Sequence, residues 1–293
     1  MNPIEGNDEE PVRPAPAIRD LPKSLTVWPR LDPVTQTTLF LTKEPAPHPY
    51  LDALFHQLQC HGDSTVFVDV GMHSGYFALH ARRRGCQVLG FEVQPSCVKL
   101  FRLAEQLNRI GPMTEVIYQP VGQRDGERFE LNFPDSCEGI YSLFWKGAIH
   151  LDSITLDTAL APLLAETPGA RILMMKIDIE GFEPRAIAGA MSLIRQRLVD
   201  ALLVEATWWP NVFSPVSQAY ELLSAVFEHG YSIRCLGPPE VYAAEYVDAE
   251  NWLKYGRSEA ASKPLNGDTS RLISVCDDYL ICIRPCPYGL EDQ

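Results

Sequence analysis

Hydrophobic positions along this chain follow two rhythms. Short β-branched and apolar runs at Thr65–Val70, Cys86–Phe91, Glu115–Tyr118, Ile172–Ile177 and Ala201–Glu205 predict buried strands. Between them, apolar residues recur at helical spacing. One helix runs to Arg84 and is ended by Gly85. A second is capped by Ser96, carries Leu100, Leu103, Ala104 and Leu107 on one stripe, and closes at Gly111. A third carries Ile187, Met191, Ile194 and Leu198, and a fourth spans about Val216 to His229. Tyr231–Leu236 and Asp278–Arg284 read as closing strands with no helix between them.

Alternation of strand and helix predicts an α/β fold with a mainly parallel sheet, and the two closing strands predict a terminal antiparallel hairpin. Residues 126–156 break the alternation as a β-rich excursion, and 237–270 read as a long polar loop. Upstream, Leu25–Trp28 and Thr37–Thr42 suit a hairpin, and Pro49 opens a helix with Leu51, Leu54, Phe55 and Leu58 on one face. Residues 1–24 hold five acidic and three basic side chains among prolines, with little apolar surface to offset chain entropy, which predicts a disordered tail. The expected organisation is this tail, an N-terminal hairpin and helix over 25–64, and one catalytic domain over 65–293.

Charge narrows the function. A net charge of −13 over 293 residues is unsuited to docking long nucleic acid, and Arg82-Arg83-Arg84 reads as a helix end complementing its dipole. The first twenty residues have no signal-peptide core, and no run approaches the ~18 apolar residues of a membrane span. With that, the eight cysteines are expected as reduced thiols and the location as cytoplasmic. Cys276, Cys282 and Cys286 lack the paired spacing of a zinc site, so no metal is expected.

The chemistry concentrates at two strand ends. Val68-Asp69-Val70-Gly71-Met72-His73-Ser74-Gly75 is a strand entering a glycine turn and then a helix, an arrangement that offers backbone N–H groups to a ligand. Glu92 follows Gly71 by 21 residues at the end of the next strand, where a carboxylate can accept from both hydroxyls of a ribose. The glycines are spaced G-x-x-x-G, not G-x-G-x-x-G, and no Gly-Lys-Ser/Thr follows. A dinucleotide and a Walker-type phosphate site are therefore disfavoured, and an adenosine ligand without pyrophosphate is favoured. The second strand end is Lys176-Ile177-Asp178-Ile179-Glu180-Gly181-Phe182-Glu183, an acidic cluster with a lysine on the face of Asp178.

In order and spacing, these strings, together with Phe91-Glu92 and Pro95, Val121-Gly122 leading to Asp125-Gly126, and Thr155-Leu156-Asp157, resemble the FkbM family of S-adenosylmethionine-dependent methyltransferases. The resemblance runs from about Val66 to Glu205. It implies a seven-stranded, Rossmann-like class I methyltransferase fold and S-adenosylmethionine as cofactor. Asp69, Gly71 and Gly75 fall on the family's first motif and Glu92 on its ribose acid. His73, Val121 and Asp178 complete the expected cofactor contacts. Met72-His73 departs from the Ala-Asn usual in the family.

The resemblance also implies that the Lys176–Glu183 strand end lies against the reacting group. Asp178, Glu180 and Lys176, with His150 before the Leu151–Leu156 run, are the candidate catalytic residues. Glu205 and the Trp208-Trp209 pair beyond it are candidates for the acceptor wall. The expected reaction is methyl transfer to oxygen of a specialised metabolite or sugar. N-methylation of a peptide or natural-product amide, and a non-catalytic cofactor-binding partner, are the alternatives. The expected partner is a small-molecule or peptide acceptor.

Overall fold

Thr65–Val70 (β1) is buried along its whole length because both of its faces are covered. Val66, Val68 and Val70 pack on one side of the sheet with Leu89, Phe91, Ile172, Ile187, Ile194 and Leu223. Phe67 points the other way, toward Leu79, Val88, Phe101 and Met174. This period of two with apolar residues on both sides is the signature of a parallel sheet between two helical layers. A computed structural model of the protein describes residues 26–27, 39–40, 60–108, 114–133, 137, 147–205, 216–236 and 278–283.

After β1 come α1 (Tyr76–Arg83), β2 (Gln87–Phe91), α2 (Pro95–Asn108) and β3 (Thr114–Ile117). An excursion follows, with β4 (Arg128–Leu131) paired antiparallel to β5 (Ile149–Asp152). The chain returns through α3 (Leu156–Glu166) and β6 (Arg171–Ile177) to α4 (Glu183–Ala188), α5 (Met191–Arg195) and β7 (Ala201–Glu205). It closes with α6 (Val216–Glu228), β8 (Tyr231–Leu236) and β9 (Asp278–Ile283). The strand order is β8-β9-β7-β6-β1-β2-β3. The five strands from β7 to β3 are parallel neighbours, extended at one edge by an antiparallel pair. Upstream, Thr26–Val27 pairs antiparallel with Leu39–Phe40.

Several boundaries differ from expectation. The last strand lies between β8 and β7 and is antiparallel to both, so the closing pair is woven into the sheet. Pro95, not Ser96, begins α2, a first-turn position where the missing N–H costs nothing. The segment carrying Ile187 and Ile194 is two short helices, because the chain turns at Gly189, where a Cβ would collide with the Gly122 carbonyl. Helix α3 is an element that the sequence reading did not contain. Its Thr155 cap accepts from Thr158 N–H at 3.2 Å, and Asp125 accepts from Thr155 N–H and the Thr158 hydroxyl, each at 2.7 Å. Asp157 accepts from Ser192 and Leu193 N–H at 3.0 Å, tying α3 to the start of α5.

The thiol expectation is also corrected. Cys60 is bonded to Cys86 and Cys97 to Cys137, with Cα atoms 4.8 and 4.6 Å apart, and Cys282 is disulfide-bonded as well. Those separations fall in the range a disulfide spans, so the fold brings cysteines distant in sequence together. No helix among the described residues is long and apolar enough to cross a membrane. The expected tail at 1–24, the helix after Pro49, the loop 237–270, Cys276 and Cys286, and Trp208-Trp209 lie outside the described residues.

Candidate cofactor and active site

Parallel strands β6, β1 and β2 end side by side, and the loops leaving them enclose an open pocket. One wall is the glycine turn. Gly71 has φ +75° and donates its N–H to the Phe91 carbonyl at 3.0 Å. A Cβ there would collide with the Asp178 carbonyl, so glycine is required by conformation and by the approach of the neighbouring strand end. Gly75 also has positive φ, but its missing Cβ makes room for Phe101 and so packs α2 against the turn.

Glu92 stands at the end of β2, only 6% exposed. One of its oxygens accepts the His73 N–H at 2.7 Å and the other accepts the Gln94 N–H at 2.8 Å. Both carboxylate oxygens are thus oriented by backbone, and each keeps a lone pair for a further donor. Burial raises the Glu92 pKa, opposed by those two N–H groups and by Lys176. His73, Val121 and Met72 line the pocket, as do Gln94 and Gln119, which the sequence reading did not single out. Met72 is 2% exposed, and its sulfur occupies the space over Gly90. The bulk of Met72 is therefore accommodated by a glycine on the adjacent strand.

The opposite wall is the end of β6. Asp69 and Lys176 are register partners on neighbouring parallel strands, facing the same layer. The Lys176 ammonium is buried, donates to the Gly71 carbonyl at 2.7 Å, and lies 3.1 Å from Asp178 and 3.7 Å from Asp69. Burial opposes its charge, but Asp178 and Asp69 outweigh burial and push its pKa above the ordinary range. A lysine so held is a fixed cation, not a proton acceptor. Asp69 is fully buried, with one oxygen accepting the Ala78 N–H at 3.0 Å. It buttresses the turn from below and does not line the pocket. For Asp178, burial raises the pKa, yet Lys176 and a hydrogen bond shared with Glu205 bring it below the usual carboxylate value.

Glu180 differs from its neighbours. It lines the pocket at φ +56°, and burial followed by the Asp178 charge lifts its carboxyl to about 7. Carboxyl oxygens of Asp178, Glu180 and Glu205 lie within 4.8 Å of one another, and Lys176 supplies the counter-charge. The structure thus gathers Gly71, His73, Glu92, Val121, Lys176, Asp178 and Glu180 around one pocket, with Glu205 against Asp178. His150 stands apart: it is exposed on the β4–β5 hairpin opposite Glu130.

A glycine turn at the end of β1, a buried, backbone-oriented acid at the end of β2 and an acidic β6 end thus meet at one pocket on a parallel sheet. Residues 69–233, more than half of the chain, match the methyltransferase FkbM domain. The protein belongs to that family and is a methyltransferase. No curated protein matches the sequence significantly. Among solved structures, an rRNA methylase from Streptococcus thermophilus is 12% identical, with a TM-score of 0.38 over 81% of this chain and 96% of that one. A putative O-methyltransferase from Klebsiella pneumoniae is 11% identical, with a TM-score of 0.41 over 82% of each chain.

Proposed function

We propose that the protein transfers a methyl group from S-adenosylmethionine to an oxygen of a specialised metabolite or sugar, with Glu180 as the general base. The observation that carries this reading is the pairing, in one pocket, of a backbone-oriented Glu92 with a pocket-facing carboxyl at Glu180 that titrates near neutrality.

The residues fit the cofactor. Glu92 retains a lone pair on each oxygen for the ribose hydroxyls, and Gly71 lets the turn sit against the end of β6. Val121 and Gln94 contribute pocket surface for the rest of the nucleoside. When bound, S-adenosylmethionine supplies an already activated methyl, which leaves alignment and acceptor deprotonation to the protein.

Among the candidate bases, Asp178 is committed to Lys176 and held below the usual carboxylate value, so it accepts a proton poorly. Glu180 is ionised above about pH 7, where it can take the acceptor's hydroxyl proton onto a carboxylate oxygen. Lys176 keeps Asp178 charged and ties the ends of β1 and β6 together through Gly71.

Incubation with methyl-labelled S-adenosylmethionine and a panel of hydroxylated metabolites and sugars identifies the acceptor. On that acceptor, Glu180→Gln should lower kcat by ~10²–10⁴-fold while cofactor affinity is kept. Glu180→Gln with near-normal kcat would refute the base assignment. Label appearing on nitrogen would replace oxygen as the target.

A further inference from the structure

The turn that presents Glu180 is an unusual piece of backbone. Strand β6 ends at Ile177, and the next hydrogen bond, from Asp178 N–H to the Val70 carbonyl at 3.1 Å, still belongs to the sheet. Glu180 and Gly181 then take positive φ values of 56° and 101°. For glycine this conformation is cheap, but for glutamate it is disfavoured and persists only where surroundings hold it.

What holds it is visible in Glu183. This side chain is fully buried at the first position of α4, and a single oxygen, Oε1, accepts from Ile179 N–H at 2.8 Å and from Gly181 N–H at 3.1 Å. The two donors flank Glu180 on either side. One carboxyl oxygen therefore closes the loop underneath the proposed base, while Oε2 has no hydrogen-bond partner. The pocket-lining residues include Asp178, Ile179 and Glu180 but not Glu183, so Glu183 acts from behind the wall.

We propose that Glu183 is a positioning residue for the reaction: its Oε1 clamps the Ile179 and Gly181 amides and thereby fixes the carboxyl of Glu180 in the pocket. The proposal rests on the reading of Glu180 as the base, but the clamp makes its own predictions. Only the acceptor oxygen is needed, so an amide oxygen should replace it and an apolar side chain should not. Without the clamp, two buried N–H groups lose their partner, the left-handed residue relaxes, and Glu180 swings toward solvent and away from the field of Asp178 and Lys176.

The test is NMR on the full-length wild type, Glu183→Gln, Glu183→Met and Glu180→Gln, following amide exchange at Ile179 and Gly181 and the titration of the Glu180 carboxyl by carbon-13 labelling. Wild type and Glu183→Gln should protect both amides and show Glu180 titrating near 7. In Glu183→Met, exchange at both amides should rise by about tenfold or more, and the Glu180 titration should fall toward the ordinary 4.5. S-adenosylhomocysteine affinity should stay unchanged, since Glu92 is untouched. On an identified acceptor, kcat should fall in Glu183→Met with KM for the cofactor retained. Unprotected Ile179 and Gly181 amides in the wild type would overturn the clamp even if no variant folds. An unshifted Glu180 titration in a folded Glu183→Met would do the same. Glu180→Gln retaining full activity would instead remove the base assignment and leave the clamp standing as measured by exchange.

Discussion

The sulfur of Met72 lies 2.5 Å from the point where a Cβ on Gly90 would stand. The two residues belong to different strand ends, yet each explains the other. Gly90 is bare because Met72 fills its space, and Met72 is tolerated in the glycine turn because β2 yields there. Gly90→Ala should therefore destabilise the protein by about 1–3 kcal/mol, the usual range for overpacking. Adding Met72→Ala should recover part of that loss. A thermal melt of the three variants measures the coupling, and purely additive changes would mean that the contact does not constrain either residue.

Cofactor binding should be governed by Glu92. Glu92→Ala removes the acceptor for the His73 and Gln94 amides along with the proposed ribose contacts. The expected loss in S-adenosylhomocysteine affinity is about 2–3 kcal/mol by calorimetry, and Glu92→Gln should lose less. Equal affinity in all three proteins would move the ribose site elsewhere.

Stability should depend on pH through the buried carboxyls. Burial raises Glu183 to about 8 and Glu180 to about 7, both from 4.5. A folded-state pKa above the unfolded value favours folding while the group is protonated, and that advantage disappears as pH rises through the folded pKa. Melting temperature should thus decline between about pH 4.5 and 8. Glu183→Gln should flatten the decline, matching wild type near pH 5 and exceeding it near pH 9. A steeper decline in the variant would reverse the sign assigned to Glu183.

The Cys97–Cys137 bond closes a separation of 40 residues, joining the first turn of α2 to the excursion that follows β4. A ring nitrogen of His73 lies within 4.8 Å of both sulfurs, so the bond borders the glycine turn. By loop-closure entropy alone it stabilises the fold by about 4 kcal/mol. Cys137→Ser should lower the melting temperature by several degrees in the absence of reductant and have little further effect in its presence. Identical melting of wild type with and without dithiothreitol would show that no disulfide contributes.

Where local pattern and tertiary demand agree, the sequence is easy to read. Ala201–Glu205 and Tyr231–Leu236 match their strands residue for residue, because apolar runs bounded by turns admit few other interpretations. The position of Glu92 beside the glycine turn was legible through its offset from Gly71, which a strand-helix-strand unit sets. Helix α3 was obscured by Pro162, which sits inside it and reads as a helix breaker, although Leu156, Ala159, Leu160, Leu163 and Leu164 fall at helical spacing on the core face behind the Thr155 cap. The break at Gly189 depends on Gly122, more than sixty residues away, and the role of Glu183 depends on a backbone turn that no side-chain pattern encodes. His150 looked well placed only because linear distance from the Leu151–Leu156 run says nothing about which edge of the sheet a hairpin occupies.

Strand β9 pairs with Ala201–Glu205 on one side and Tyr231–Leu236 on the other. Synthesis on the ribosome delivers β7 and β8 first, and the strand that must separate them arrives some forty residues after β8 ends. Until then the nascent chain carries an unfilled slot at the edge of its sheet, with two rows of unpaired backbone donors and acceptors. Completion of the sheet therefore waits for β9, and a nascent chain stalled before residue 278 is the species most exposed to chaperones and to pairing with a neighbouring chain.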